Sequence, residues 1–256
     1  GLVKLLQRSP SGPSAGTPKV NLSRNARELY QQATSLKKDG KLMEARTAYQ
    51  KIMSDYPNMD NLENVQKEFE DLNMNMIYSG ADPEHTVTHE IVTGDTLGKL
   101  ARKYNTTVDL IKKMNNLKSD TIPLGKKIKV WNGKFNIYVD KSQNILILRD
   151  GNDLVKIYHV STGIDNSTPV GSYKIINKLI DPVWFKPGAI VPPESPENVL
   201  GSRWMGFDLP GYGIHGTVEP DKIGQQVTAG CVRMRNEEVE ELYNLVPSGT
   251  EVVIVD

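Results

Sequence analysis

Cys231 is the only cysteine in 256 residues, and His215 lies sixteen positions before it. Both are framed by glycine, in Gly213-Ile214-His215-Gly216-Thr217 and in Thr228-Ala229-Gly230-Cys231-Val232-Arg233-Met234. A thiol attacks a carbonyl well only as thiolate, so an imidazole able to take its proton would make the two a nucleophile and its base. Gly230 would let a substrate come close to the sulfur and would help aim the Gly230 and Cys231 N–H groups at a developing oxyanion. For any lone cysteine and histidine the plainer reading is an inert buried thiol and an unrelated core imidazole, so the decision rests on the residues around them.

Those residues belong to a stretch of strands. Phe135–Val139 alternates as a half-buried strand should, Ile145–Leu148 is continuously apolar, and Asp150-Gly151 joins it to Leu154–Tyr158 as a hairpin. His159 extends that strand and is expected to be structural rather than catalytic. The Pro-rich segment Asp181–Glu197, with Trp184 and Phe185, resists regular structure and suggests a loop or lid over a cleft, or else an aromatic surface cluster. Asn236 is expected to cap a short helix, with Glu237 and Glu238 in its first turn and Val239, Leu242 and Val246 as its buried stripe. Val252–Val255 closes as a strand.

The ordered motifs across roughly 134–256 resemble the L,D-transpeptidase catalytic domain of bacterial peptidoglycan metabolism. They are Thr168-Pro169-Val170-Gly171-Ser172-Tyr173, Leu200-Gly201-Ser202-Arg203-Trp204-Met205-Gly206, the GIHGT segment and the TAGCVRM segment. One departure is Ala229, where many members carry a histidine that is not the base. The resemblance implies a mostly β, sandwich-like domain and acyl transfer between peptide stems. Cys231 would attack the carbonyl of an L-centre preceding a terminal D-residue, the D-residue would leave, and an amine of a neighbouring stem would resolve the thioester. His215 would act as base, the main-chain carbonyl of Gly216 would orient it, and Gly230 would help form the oxyanion site. Arg233 is a candidate to hold a substrate carboxylate, with a structural ion pair equally open. Thr228, Trp204 and Tyr212 are further substrate-binding candidates. Two rivals stay open: an L,D-carboxypeptidase, in which water resolves the thioester, and a non-catalytic wall-binding scaffold. Carbapenem-type β-lactams are expected inhibitors, and neither cofactor nor metal is expected.

Upstream, His89–Leu97 (HEIVTGDTL), Leu100-Ala101, Thr107–Ile111, Asn115-Asn116 and Ile122-x-x-Gly125-x-x-Ile128-x-Val130 resemble a LysM module over residues 87–131. The resemblance implies a βααβ fold that binds N-acetylglucosamine-containing glycans in a groove between the turn after the first strand and the loop near 120–124. Gly94, Asp95, Thr96, Thr121 and Ile122 are the glycan-binding candidates. Taken alone, Asp95 and Thr96 would cap a helix whatever the module binds. His89 stands where an aromatic residue is common in that family.

Residues 21–80 carry helical periodicity. Leu29, Ala33 and Leu36 form one stripe, Asp39-Gly40 breaks it, and Leu42, Ala45, Tyr49 and Ile52 form a second before Pro57. Ala45-x-x-x-Tyr49 with Pro57 resembles the second half of a tetratricopeptide repeat, and a third helix is expected near Asn61–Tyr78. One repeat builds no solenoid, so a small helical hairpin or bundle that spaces or docks the enzyme is expected, with a protein partner as one reading. Met53, Met59, Met74 and Met76 are expected to fill core or interface space. The whole chain is therefore expected to be multidomain α+β: a linker or vector-derived stretch at 1–20, then helical, LysM and catalytic parts.

Thirty-one basic residues balance 31 acidic ones, which gives no argument for nucleic acid. No apolar run approaches the roughly 20 residues needed to span a bilayer, and Leu2–Leu6 is too short for a signal-peptide core. The family resemblances imply a place outside the cytoplasm, in periplasm or cell wall, with any export signal or anchor beyond these residues.

Overall fold

The protein is described by a computed structural model covering residues 19–256 apart from residue 187. The linker expected at 1–20 and the Leu2–Leu6 run lie outside the described residues up to 18, while Lys19 and Val20 already belong to the first helix. Two compact units meet at Asp82/Pro83.

The first unit holds three helices: α1 (Lys19–Lys38), α2 (Leu42–Asp55) and α3 (Leu62–Ser79). Ala33 and Ala45 are fully buried, so α1 and α2 meet through small side chains, and Tyr49, Ile52, Phe69 and Leu72 fill the space that remains. Met53, Met74 and Met76 are buried in the same core. Glu68 accepts from Tyr30 Oη at 2.6 Å and Tyr49 Oη at 2.7 Å. Burial alone would raise its carboxyl, but the two hydroxyls and Lys37 outweigh burial and hold it below the usual range. Phe69→Ala should cost about 3–5 kcal/mol, because a fully buried ring leaves a cavity that helices cannot close. Denaturant titration followed by helical circular dichroism measures this, and a loss under about 1 kcal/mol would contradict this packing.

The second unit begins with the βααβ module: β1 (Thr86–Glu90), α4 (Leu97–Lys103), α5 (Val108–Met114) and β2 (Lys127–Trp131). β1 and β2 pair antiparallel, with Val87 opposite Val130 and His89 opposite Ile128. Ile91, Leu97, Leu100, Ile111, Ile128 and Val130 form its core. Thr96 caps α4 by accepting from Lys99 N, and Thr107 caps α5 by accepting from Leu110 N. Asp95, expected to share the capping role, does not: its Oδ2 accepts from Val92 N and sits 2.9 Å from His89 Nε2.

The remaining strands are β3 (Phe135–Asp140), β4 (Ile145–Asp150), β5 (Asp153–His159), β6 (Thr162–Gly163), β7 (Gly171–Ile180), β8 (Trp184–Lys186), β9 (Ala189–Val191), β10 (Arg203–Phe207), β11 (Gly213–His215), β12 (Gln226–Thr228), β13 (Val232–Arg233) and β14 (Glu251–Val255), with α6 (Asn236–Leu245) before the last. Eight of them form one curled mixed sheet in the order β13-β11-β10-β7-β14-β3-β4-β5. The long strand β7 joins its halves, pairing with β14 through Gly171–Lys174 and with β10 through Ile175–Ile180. Helix α6 packs its Val239, Leu242 and Leu245 stripe inward, and Lys178 of β7 donates to the Tyr243 and Val246 carbonyls at its C-terminus, at 2.6 and 2.7 Å.

The Pro-rich segment departs from its expected irregularity. β8 and β9 form a small hairpin, with Phe185 opposite Ile190 and both exposed. Asn198 secures it from below, donating to Pro182 O at 2.8 Å and Pro192 O at 3.1 Å. The βααβ module also touches the sheet domain directly. Trp131 stacks on Phe135 at 5.8 Å, and the Thr107 hydroxyl donates to the Asn244 carbonyl of α6.

Candidate active site

Parallel strands β11 and β13 bring the two candidate residues together. Ile214 lies opposite Val232 and His215 opposite Arg233. One step back from these pairs lie Gly213 and Cys231, and the Gly213 N–H reaches the thiol. Regular parallel strands about 4.8 Å apart, rising about 3.3 Å per residue, would put the Cα atoms of Cys231 and His215 about 8 Å apart.

His215 is only 3% exposed. Its Nδ1 lies 2.7 Å from the Gly216 carbonyl. A carbonyl only accepts, so Nδ1 carries the proton and Nε2 keeps its lone pair. Burial, assisted by the Arg233 charge and partly opposed by the Gly216 bond, lowers its pKa to about 4. The ring of Trp204, directly across the antiparallel β10–β11 pair, stacks on it at 6.1 Å and 21°. Asn177 fixes that indole by accepting its Nε1–H at 3.0 Å.

Cys231 is partly exposed at the start of β13. Its thiol donates to Gly211 O at 3.5 Å. Burial raises its pKa, while the Gly213 N–H and Arg233 pull the other way. At neutral pH the resting pair is thus a thiol and a neutral imidazole. Gly230 has φ 128°, and a Cβ there would come within 2.7 Å of Tyr212 Cε1. The Tyr212 ring therefore packs against the turn that carries the thiol, and only glycine satisfies both constraints.

Three assignments change. The Gly230 N–H donates to Thr228 Oγ1 at 3.1 Å, which leaves the Cys231 N–H as the remaining oxyanion candidate of the two. Thr228 is buried, and its hydroxyl donates to Cys231 O at 2.7 Å, so it shapes the turn instead of facing substrate. Arg233 is buried and its Nη1 pairs with Glu219 at 3.3 Å, the structural alternative to a carboxylate clamp. His159 lies on β5, at the opposite edge of the sheet from β13, and is exposed.

In the βααβ module, the turn holding Gly94, Asp95 and Thr96 and the loop holding Thr121 and Ile122 leave the same end of the strand pair, where Gly125 N donates to Ile91 O and Ile91 N to Lys126 O. Gly94, Thr96 and Thr121 are exposed, whereas Ile122 is partly buried and packs on the module's core. Asn236 and Asn177 are the site residues whose contacts sequence reasoning missed. Among the described residues no cluster of three or more His, Cys, Asp or Glu is arranged to hold a metal.

Comparison with known proteins gives the family and the two domains. Residues 134–254 match the family model of the YkuD L,D-transpeptidase catalytic domain, and residues 89–131 match that of the LysM domain. YqjB of Bacillus subtilis strain 168, named as an L,D-transpeptidase, is 39% identical over 126 residues, covering 47% of this chain and 70% of its own. YkuD of Bacillus licheniformis, named likewise, is 30% identical over 174 residues, covering 65% of this chain and 97% of its own. Among solved structures, L,D-transpeptidase 3 from Mycobacterium tuberculosis in complex with a faropenem-derived adduct aligns with TM-score 0.42 and 18% identity, over 52% of this chain and 65% of that one. The matched stretch 134–254 contains β11 with His215 and β13 with its preceding Cys231, and by its identity to the two Bacillus proteins the chain belongs to the L,D-transpeptidase family.

Proposed function

We propose that Cys231 is the nucleophile and His215 the general base of a peptidoglycan L,D-transpeptidase. The observation that carries this is the His215 Nδ1–Gly216 O bond, which leaves Nε2 unprotonated on a strand paired with the one that Cys231 precedes. As the donor carbonyl meets Sγ, the thiol proton passes to Nε2 and a C–S bond forms. The oxyanion is met by the Cys231 N–H, and loss of one such donor typically costs about 10²–10³ in rate. Collapse breaks the C–N bond, and the Nε2 proton goes to the departing D-amino acid, leaving a thioester. An acceptor amine on a neighbouring stem then attacks, gives a proton to Nε2, and expels the Cys231 thiolate, which takes that proton back and restores the resting pair. A carbapenem, whose strained lactam carbonyl imitates the donor, would acylate the same sulfur. Trp204, stacked on His215, and Tyr212, beside Gly230, line the approach to the pair.

Incubation with purified tetrapeptide muropeptides, read by mass spectrometry, tests the reaction. Cross-linked dimers with loss of D-alanine are expected, absent with Cys231→Ala. Tripeptide alone would show that water, not an amine, resolves the thioester.

The LysM module places this chemistry on polymeric wall material, outside the cytoplasm. Its backbone at Gly94–Thr96 and at Thr121-Ile122 would hold the acetamido groups of a glycan strand. Because the module packs on α6 and β3, its removal would disturb the sheet domain, so a point change is the cleaner test. Thr121→Glu puts a carboxylate on an exposed loop facing an anionic polymer. It should weaken sacculus pull-down by about tenfold and leave turnover of a soluble tetrapeptide unchanged. Equal pull-down would count against glycan binding at this loop.

A further inference from the structure

The local sequence predicts a helix cap at Asn236, but the N-cap of α6 is Arg235, without a side-chain cap bond. The Asn236 side chain instead leaves the helix and enters the backbone around His215. Its Oδ1 accepts from Thr217 N at 2.9 Å and from Ser202 N at 3.2 Å, and its Nδ2 donates to Thr217 O at 2.8 Å. Two N–H donors on one atom and a carbonyl on the other fix the orientation of the amide, since a flip would set donors against donors. A Cβ at Gly216 or at Gly201 would fall on Asn236 Oδ1, so these glycines make the space the amide occupies.

The peptide unit between Gly216 and Thr217 is therefore held at both ends. Its N–H donates to Asn236 Oδ1, and its carbonyl accepts from His215 Nδ1. Hydrogen bonds in such a chain polarise one another, so accepting the N–H makes the carbonyl at the other end a better acceptor. An imidazole that takes a proton from Cys231 needs that acceptor most while it is charged. We propose that Asn236 is a positioning residue of the transpeptidase reaction, acting through the Gly216–Thr217 peptide to fix the tautomer of His215 and to stabilise its charged form. The proposal rests on His215 being the base.

Two variants and two readouts test it. Asn236→Ala should lower kcat for a tetrapeptide donor by about 10- to 100-fold, the range typical when a partner that orients a functional histidine is removed, with KM within about twofold. In the resting protein, ¹⁵N NMR should show the Nδ1–H tautomer of His215 losing its dominance. Asn236→Asp keeps an acceptor for both N–H groups and adds a negative charge at the end of the chain. It should keep more activity than the alanine variant and move the acid limb of kcat/KM to higher pH. If Asn236→Ala does not fold, the aspartate variant decides alone by that limb. A folded Asn236→Ala with parental kcat and tautomer, or an Asn236→Asp with an unmoved acid limb, overturns the proposal. The tautomer is read without turnover, so failure of the base assignment, seen as full activity in His215→Ala, is distinguishable from failure of this one.

Discussion

Cys231→Ala should leave no turnover of a tetrapeptide donor, a loss of more than about 10⁴-fold in kcat, and no adduct with a carbapenem. Cys231 is the sole thiol, so no second sulfur can take its place or confuse labelling. Cys231→Ser should be nearly as impaired. A serine hydroxyl is far less acidic than a thiol, and burial keeps His215 a weak base, with a pKa of about 4. That base suits a thiol whose proton leaves as the C–S bond forms; it is poorly matched to an alcohol. The folded state should be preserved in both variants, because the side chain is partly exposed just before β13 and its polar contacts are to the main chain of Gly211 and Gly213 alone. Ordinary turnover of a cross-linking assay by Cys231→Ala would end the assignment.

His215→Ala should slow acylation by about 10²–10⁴, the usual contribution of a positioned general base. His159→Ala should leave the chemistry intact, since β5 lies at the far edge of the sheet. The depressed pKa gives the pH dependence a definite shape. His215 must be neutral to accept the thiol proton, so the acid limb of kcat/KM should fall near pH 4 rather than near 6.5. Stability follows the same window. The folded pKa lies below the unfolded value of about 6.5, so burial of the neutral ring stabilises fully above pH 6.5. That contribution, about 3 kcal/mol at most, is lost as pH falls from 6.5 toward 4. In His215→Ala this acid-induced loss of stability should shrink. An acid limb at 6.5 would mean the imidazole is hydrated and not held as described.

The βααβ module and the strands around the proposed Cys231–His215 pair were legible because their signals are local: glycines beside the two residues, and apolar periodicity with Thr96 and Thr107 at helix starts. What the chain did not disclose is which of several competing partners each polar group finds. Asn236 has a strong intrinsic preference for capping, but the backbone at Ser202 and Thr217 competes for its amide and wins. Asp95 is drawn from its helix by His89 in the same way. Gly230 offers an N–H toward the oxyanion region only if nothing closer accepts it, and Thr228, two residues earlier, does. Arg233 could equally have met a substrate or a carboxylate of its own chain, and Glu219, from the loop after β11, settles beside it. The position of β14 between β3 and β7 is likewise a matter of long-range pairing that strand periodicity does not encode.

The central claim is that acyl transfer passes through a thioester on Cys231. Intact-protein mass spectrometry, with a tetrapeptide donor whose side-chain amine is acetylated so that it cannot act as acceptor, tests this most directly when followed by peptide mapping of the quenched enzyme. The predicted result is one added mass equal to the donor less its terminal D-alanine, carried by the peptide containing Cys231 and lost on adding hydroxylamine. Turnover with an unmodified Cys231 peptide, or an adduct on any other residue, would contradict it.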